Sequence, residues 1–158
     1  MLSLQKILVP TDFSECANDA LGLAQEIAAK WGGSITLLHV YQLPTYPLAT
    51  GTFVGGPQVS AEIVKDIVAA LDRTKQEALA SMGAVPVTTR IAEGVPYLEI
   101  ARLAREDRFD LIVIGTHGRT GIRHLLLGSV AERVVRTAGC PVLTVRGGGT
   151  QPEATAAT

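Results

Sequence analysis

A glycine-rich segment between residues 115 and 129 contains the residue types that could bind an anion. It reads GTHGRTGIRHLLLGS and lies between a short apolar run and the start of a predicted helix. Glycine lets the main chain approach a ligand closely, and the first turn of a helix offers unpaired N–H groups at the positive end of its dipole. The spacing therefore predicts a phosphate site built mostly from main-chain donors.

The same helix start allows a second interpretation, which needs no ligand. In the pattern Ser-Val-Ala-Glu, the Ser129 hydroxyl would accept from the amide of Glu132, and the Glu132 side chain would bond back, forming a capping box. The glycines could also serve only a tight turn, although four glycines in fourteen residues exceed what one turn requires. These alternatives stay open, because a helix that caps itself when empty could release its donors to phosphate.

Arginine and histidine side chains are further candidates for contacts with a ligand. Arg119 directly follows Gly118 and is the better candidate for a phosphate contact, whereas Arg123 could equally be a solvated charge. His117 lies in the glycine segment and could hydrogen-bond a phosphate. His39 alternates with apolar neighbours on a predicted strand, which predicts a core histidine with its hydrogen bonds satisfied.

Composition excludes several classes of function. The chain has 158 residues, 47% hydrophobic residues and a net charge of −1, and its mean hydropathy is +0.27. The near-neutral charge argues against nucleic acid and anionic membranes as partners. No basic leader with a long apolar run begins the chain, and glycine and proline interrupt the charge-free stretch 31–61. We expect a cytoplasmic protein with no membrane span, whose Cys16 and Cys140 are buried thiols.

Short β-branched runs alternate with helical patterns along the chain. Predicted strands cover Lys6–Val9, Ser34–Val40, Val85–Ile91, Leu111–Ile114 and Pro141–Val145. Predicted helices begin at Asp12–Glu15, at Ser60, at Pro96 in the first turn, and at Ser129. This alternation predicts an α/β fold, a doubly wound five-stranded parallel sheet with helices on both faces. We expect one domain over residues 1–146 and a disordered C-terminal tail over 147–158, which has too few apolar residues to fold.

Ligands of such sheets bind beyond the carboxyl ends of the strands, where the strand order reverses. If the first and fourth strands are neighbours, the loop at Pro10–Asp12 faces the glycine-rich segment across one crevice. Asp12 has an alternative role as the cap of the first helix.

Four ordered signatures resemble one known family. They are the spacing Gly115-x2-Gly118-x9-Gly128-Ser129, the opening KILVPTDFSE at 6–15, the strand LLHV at 37–40 and the ending CPVLTV at 140–145. Over residues 4–146 the chain resembles the universal stress protein family, and its ATP-binding branch in particular. The resemblance implies the strand order 3-2-1-4-5, which makes the first and fourth strands neighbours. It also implies an ATP-binding module that acts in stress response or signalling.

Carried over position by position, the resemblance implies a nucleotide site. Adenine would lie along the main chain of Val40 and beside Pro10, with the Asp12 carboxylate near adenine and ribose and with Gly115 on the ribose. The glycine-rich loop and the start of the last helix would enclose the phosphates. The nucleotide-binding residues so implied are Pro10, Thr11, Asp12, Val40, Gly115, Thr116, His117, Gly118, Arg119, Thr120, Gly121, Gly128, Ser129, Val130 and Ala131. The triphosphate would carry Mg or Mn, and no metal site made by protein ligands alone is predicted.

The sequence lacks the usual signatures of phosphoryl transfer and acyl transfer. No Gly-Lys-Ser/Thr follows a glycine loop, and no Gly-x-Ser-x-Gly elbow is present. We therefore assign no catalytic residue and expect no efficient turnover. The alternatives are a slow ATPase or autophosphorylating enzyme, for which Ser129 and Thr120 are the first residues to test, and a nucleotide-free interaction scaffold.

Two segments indicate partners. The last strand, Pro141–Val145, would lie at an apolar sheet edge, and pairing with a second copy would give a homodimer, as the resemblance also implies. The segment Tyr41–Val59 is longer than a plain connection and reads as a surface loop. Alternatively, it could be a lid or a docking element for unidentified protein partners.

Overall fold

The structure is a computed structural model that describes residues 4–43, 45–48, 51–54, 57–82, 85–117 and 127–147. The elements in these ranges are β1 (Lys6–Pro10), α1 (Glu15–Trp31), β2 (Ser34–Tyr41), β3 (Thr45–Leu48), β4 (Gly51–Val54), α2 (Pro57–Met82), β5 (Val87–Glu93), α3 (Pro96–Glu106), β6 (Leu111–Gly115), α4 (Ser129–Thr137) and β7 (Val142–Val145). The five predicted strands correspond to β1, β2, β5, β6 and β7.

The main sheet has the order β5-β2-β1-β6-β7, and its neighbouring strands are parallel. The doubly wound fold and the predicted order 3-2-1-4-5 are therefore confirmed. β1 lies at the centre and pairs with both β2 and β6. The order of the strands reverses beside β1, so the carboxyl ends of β1 and β6 border the crevice in which such sheets bind ligands.

The sheet buries different side chains on its two faces. Ile7 and Val9 of β1 pack with residues of α1 and α2 on one face, and Leu8 packs with residues of α3 and α4 on the other. All three side chains are fully buried. Burial of one such side chain contributes about 1.5–3 kcal/mol. The two helix layers are thus held against the sheet, and they fix the positions of the strand ends.

The segment between β2 and α2 contains more regular structure than the predicted surface loop. β3 and β4 form an antiparallel hairpin in which Thr45 pairs with Val54 and Leu48 with Gly51. α2 begins at Pro57 rather than at Ser60. The β-branched and aromatic residues of this segment favour extended pairing, which outweighs the turn-forming residues among them.

The predictions of a disordered tail and of no membrane span concern the chain as a whole. The predicted tail lies outside the described residues from position 148 onwards. Among the helices that the structure describes, none is both long enough and apolar enough to cross a bilayer.

Candidate functional site

A cavity of about 250 Å³ opens where β1, β2 and β6 end. This volume is close to the lower limit of small-molecule sites, which span about 300–1,000 Å³. Eleven of the predicted site residues line it: Pro10, Thr11, Asp12, Val40, Gly115, Thr116, His117, Gly128, Ser129, Val130 and Ala131. The topology therefore brings together four segments that are far apart in sequence. The other four candidates, Gly118, Arg119, Thr120 and Gly121, lie outside the described residues.

The start of α4 forms one wall of the cavity and is not capped by a side chain. Gly128 is the N-cap residue, and its carbonyl oxygen accepts from the amide of Glu132 at 2.9 Å. The capping-box interpretation of Ser129 and Glu132 is therefore wrong. Glu132 instead forms an ion pair with Arg136 one turn later, at 2.9 Å, which satisfies its carboxylate on the helix surface.

This arrangement leaves donors at the cavity wall. Within the part of the chain that the structure describes, no hydrogen-bond acceptor is found for the amides of Ser129, Val130 and Ala131. These are the first three residues of α4, and all three line the cavity. Unpaired N–H groups at the positive end of a helix dipole are suited to an anion.

Main-chain contacts hold the start of α4 against the end of β6. The amide of Gly128 donates to the carbonyl oxygen of Thr116 at 2.5 Å, and a Cβ on Gly128 would lie 2.7 Å from that oxygen. The Thr116 amide donates to the carbonyl oxygen of Val145 in β7 at 2.7 Å. The Thr116 hydroxyl is 2.8 Å from Nδ1 of His117. Gly128 is therefore required by a close backbone approach.

Gly115, the last residue of β6, contacts the first turn of α1. A Cβ at this position would lie 2.8 Å from Sγ of Cys16 and 2.9 Å from the Cys16 carbonyl oxygen. The Cys16 thiol donates to the carbonyl oxygen of Val145 at 3.2 Å. Packing alone therefore accounts for glycine at 115, and its contact with ribose stays a prediction.

The two cysteines differ in their surroundings, although we predicted that both would be buried. Cys16 is buried and Cys140 is only half-buried, and both are free thiols. Cys140 lies between Gly139 and Pro141, just before the edge strand β7, and its side chain packs only partly against the core. Burial raises the pKa of the Cys140 thiol, and the charge of Asp110 raises it further.

The turn between β1 and α1 places Asp12 at the cavity. One carboxylate oxygen, Oδ1, accepts from the amide of Ser14 at 3.1 Å. Ser14 is the N-cap of α1, and its hydroxyl accepts from the amide of Ala17 at 3.2 Å. The alternative of Asp12 as the helix cap is therefore wrong. Among the described residues that line the cavity, Asp12 is the only acid.

His39 lies at the cavity rather than in the core. It is half-buried, its Nδ1 is 2.7 Å from the carbonyl oxygen of Thr11, and its ring stacks on Phe13 with centroids 4.7 Å apart. The predicted satisfaction of its hydrogen bonds is correct, but its predicted location is wrong. The alternation of residues along a strand indicates on which face of the sheet a side chain lies. It does not reveal that the cavity opens near the carboxyl end of β2.

Five apolar residues also line the cavity, and none of them was among the predicted site residues. They are Ala17, Leu38, Pro96, Ile100 and Ile114. Pro96 and Ile100 belong to α3, which packs beside α4, and the Arg133 guanidinium of α4 lies 5.0 Å from the centre of the Tyr97 ring of α3. One signal could have indicated the two residues of α3: this helix follows a strand of the same parallel sheet, so it begins at the edge where the other loops meet.

The fold and the cavity define a doubly wound α/β protein with a ligand site at the reversal of strand order, and comparisons place it in a family. The model of the universal stress protein family matches residues 3–146. The chain is 38% identical over 149 residues to universal stress protein MJ0531 of Methanocaldococcus jannaschii, covering 90% of this chain and 82% of that protein. The chain belongs to the universal stress protein family.

Solved structures agree with this assignment. Universal stress protein UspA from Lactobacillus plantarum matches with a TM-score of 0.76 and 29% identity, covering 90% of this chain and 98% of that one. A universal stress protein in complex with cAMP matches with a TM-score of 0.68 and 28% identity, covering 92% of this chain and 99% of that one.

Proposed function

We propose that this protein binds ATP in the cavity and acts in stress response or signalling through nucleotide-dependent conformation or partner binding. The observation that carries the proposal is the start of α4, where three amides without an acceptor among the described residues line a cavity whose lining is largely apolar. A nucleotide matches this lining, because its phosphates are anionic and its base is flat and mostly apolar.

The phosphates would lie beside α4. The amides of Ser129, Val130 and Ala131 would donate to phosphate oxygens, and the Ser129 hydroxyl would add a further donor. The contact between Gly128 and Thr116 supports this role, because it holds the helix start in place before any ligand arrives. A preformed set of donors lowers the ordering cost of binding.

The nucleoside would extend from α4 towards β2 and α3. Val40 lies near the carboxyl end of β2, where main-chain groups can pair with the polar edge of adenine, and Pro96 and Ile100 offer apolar surface to the ring. Asp12 follows β1, the strand between β2 and β6, and its carboxylate can accept from ribose hydroxyls. The relative in complex with cAMP supports an adenine nucleotide as the class of ligand.

A divalent cation would come with the triphosphate. In the described ranges of the chain, no group of three or more His, Cys, Asp or Glu residues is arranged to hold a metal ion. Phosphate oxygens are suitable ligands for Mg²⁺ or Mn²⁺, and Asp12 is the carboxylate available at the cavity. The cation would neutralise phosphate charge, while the protein donors fix the orientation of the nucleotide.

The proposal also covers assembly. β7 is an edge strand of the main sheet, and an unpaired edge invites a second strand. We propose a homodimer that pairs along Pro141–Val145 and a single nucleotide-binding domain over residues 1–146.

Calorimetric titration tests the function directly. Protein purified without added nucleotide is first examined by mass spectrometry for released small molecules, and it is then titrated with ATP, adenosine and tripolyphosphate. We expect ATP to bind more tightly than either fragment, because only ATP occupies both ends of the cavity. A protein that releases no nucleotide and binds no ATP at millimolar concentration would contradict the proposal.

A further inference from the structure

The turn between β1 and α1 contains a backbone conformation that needs support. Phe13 has a φ of 63°, which lies in the left-handed region that bulky residues rarely adopt. Thr11 precedes it and is nearly fully buried, at 7% exposure, and its amide donates to the carbonyl oxygen of Leu38 at 2.8 Å. The turn thus combines a strained residue with a buried main-chain group.

His39 contacts this turn on both sides of Asp12. Its Nδ1 lies 2.7 Å from the carbonyl oxygen of Thr11, and its ring stacks on the ring of Phe13 at an interplanar angle of 27°. The turn also has its own bonds, from the Phe13 amide to the Thr11 hydroxyl at 3.0 Å and from the Ser14 amide to the Asp12 carboxylate at 3.1 Å. The two contacts of the His39 side chain connect the turn to β2, in addition to the main-chain bond from Thr11 to Leu38.

The chemistry of the bond fixes the proton on the imidazole. A carbonyl oxygen can only accept a hydrogen bond, so Nδ1 of His39 must carry the proton and donate it. The neutral ring is therefore the Nδ1–H tautomer, with an acceptor lone pair on Nε2. Without this donor, the buried Thr11 carbonyl would lose its partner, and an unmet buried acceptor favours a shifted turn.

We propose that His39 is a positioning residue for the nucleotide site: it fixes the Thr11–Ser14 turn so that Asp12 faces the nucleoside. This inference rests on the proposed function. Asp12 lies between the two residues that His39 contacts, and Thr11, Asp12 and His39 all line the cavity. The effect is local to the β1 and β2 end of the cavity, away from the amides of α4.

Three substitutions separate the donor from the ring. His39→Ala removes both, His39→Asn keeps an N–H donor near the Nδ1 position, and His39→Phe keeps a ring for Phe13 without the donor. We expect His39→Ala and His39→Phe to weaken ATP and adenosine equally, by about tenfold, which is the upper range for loss of one hydrogen bond. His39→Asn should bind both ligands within about twofold of the wild type, because it restores the donor.

A matched control distinguishes positioning from general loss of stability. Gln25 is buried, and its Nε2 donates to the carbonyl oxygen of Ala78 at 2.8 Å, between α1 and α2 and away from the cavity. Gln25→Leu should lower the free energy of unfolding and leave ATP affinity unchanged. ¹⁵N NMR of the wild-type imidazole should report the Nδ1–H tautomer for His39.

The binding of ATP and adenosine by the wild type and by His39→Ala separates the proposed function from the positioning role. If wild-type protein binds no ATP, the proposed function fails and the positioning role fails with it. If wild-type protein binds ATP and His39→Ala binds equally well, the positioning role is wrong and the proposed function stands. Weakened ATP binding with unchanged adenosine binding would also overturn the positioning role, because it would place the effect at the phosphates.

Discussion

Cys16 and Gly115 approach so closely that the glycine has no room for a side chain. Sγ of Cys16 lies 2.8 Å from the position that a Cβ on Gly115 would occupy, and the Cys16 carbonyl oxygen lies 2.9 Å from it. The first turn of α1 therefore packs directly on the main chain at the end of β6. Because that contact exists in the protein alone, Gly115 serves the fold whether or not a nucleotide is bound.

Gly115→Ala should destabilise the protein in the absence of any nucleotide. Overpacking of this kind costs about 1–3 kcal/mol, because part of the opposing surface is rigid main chain. The measurement is the free energy of unfolding in urea. Gly139→Ala is the matched control, since nothing lies within 4 Å of its Cβ position. An unchanged free energy of unfolding in Gly115→Ala would show that the close approach relaxes without cost.

Ser129→Asp should have opposite effects on stability and on binding. A carboxylate in the first turn of α4 interacts favourably with the helix dipole and should add about 0.3–1 kcal/mol to stability. The same charge repels phosphate and competes for the amides, so ATP affinity should fall by about tenfold or more. Thermal unfolding and calorimetric titration measure the two effects.

The control for Ser129→Asp is Val135→Asp, which adds the same charge to an exposed position of α4 beyond its first turn. It should leave ATP affinity unchanged. If Ser129→Asp binds ATP as tightly as the wild type, the phosphates do not lie at the start of α4.

Thr144→Pro should convert the proposed dimer into a monomer. The carbonyl oxygens of Pro141, just before β7, and of Val145, its last residue, accept from the amides of Ile112 in β6 and of Thr116. Main-chain groups alternate in direction along an extended strand, so the exposed Thr144, next to Val145, directs its N–H away from β6. Proline removes that N–H at little cost to the parent sheet. Thr144→Val keeps the N–H and should stay dimeric. Light scattering gives the masses, and a Thr144→Pro dimer would contradict pairing along β7.

The Cys140 thiol should make the protein less stable at alkaline pH. Its pKa in the folded protein is raised by burial and by the charge of Asp110, so the unfolded chain loses this proton first. The stabilising contribution is complete below the pKa of the unfolded chain, about 8.5, and is lost as pH rises through the folded pKa. Above about pH 8.5, the wild type should therefore lose stability more steeply than Cys140→Ala. Parallel pH profiles in urea unfolding would contradict this prediction.

The sequence predicted the sheet well because its signals are repeated along the chain. Runs such as Ile7–Val9 and Ile112–Ile114 are buried on both sides, and each is followed by a helical stripe, which leaves few alternative architectures. The hairpin of β3 and β4 was missed because turn-forming residues dominate its surroundings.

The candidate site was predicted less completely, since its details depend on which groups meet in three dimensions. Ser129 and Glu132 have the spacing of a capping box, but the Glu132 amide donates to the carbonyl oxygen of Gly128 and the Glu132 carboxylate pairs with Arg136. His39 follows the alternation of a core residue, yet it lies at the cavity, where it contacts the Thr11 carbonyl and the Phe13 ring. Contacts between distant segments leave no periodic signal in the sequence.

The hydrogen bond from Gly128 to Thr116 has an evolutionary consequence. It joins the end of β6 to the start of α4 through main-chain atoms, so the bond itself does not depend on which side chain stands at position 116. Only position 128 is restricted by it, because a side chain there would meet the Thr116 oxygen. A lineage could therefore diversify ligand preference through other side chains that line the cavity, while the helix start keeps its place.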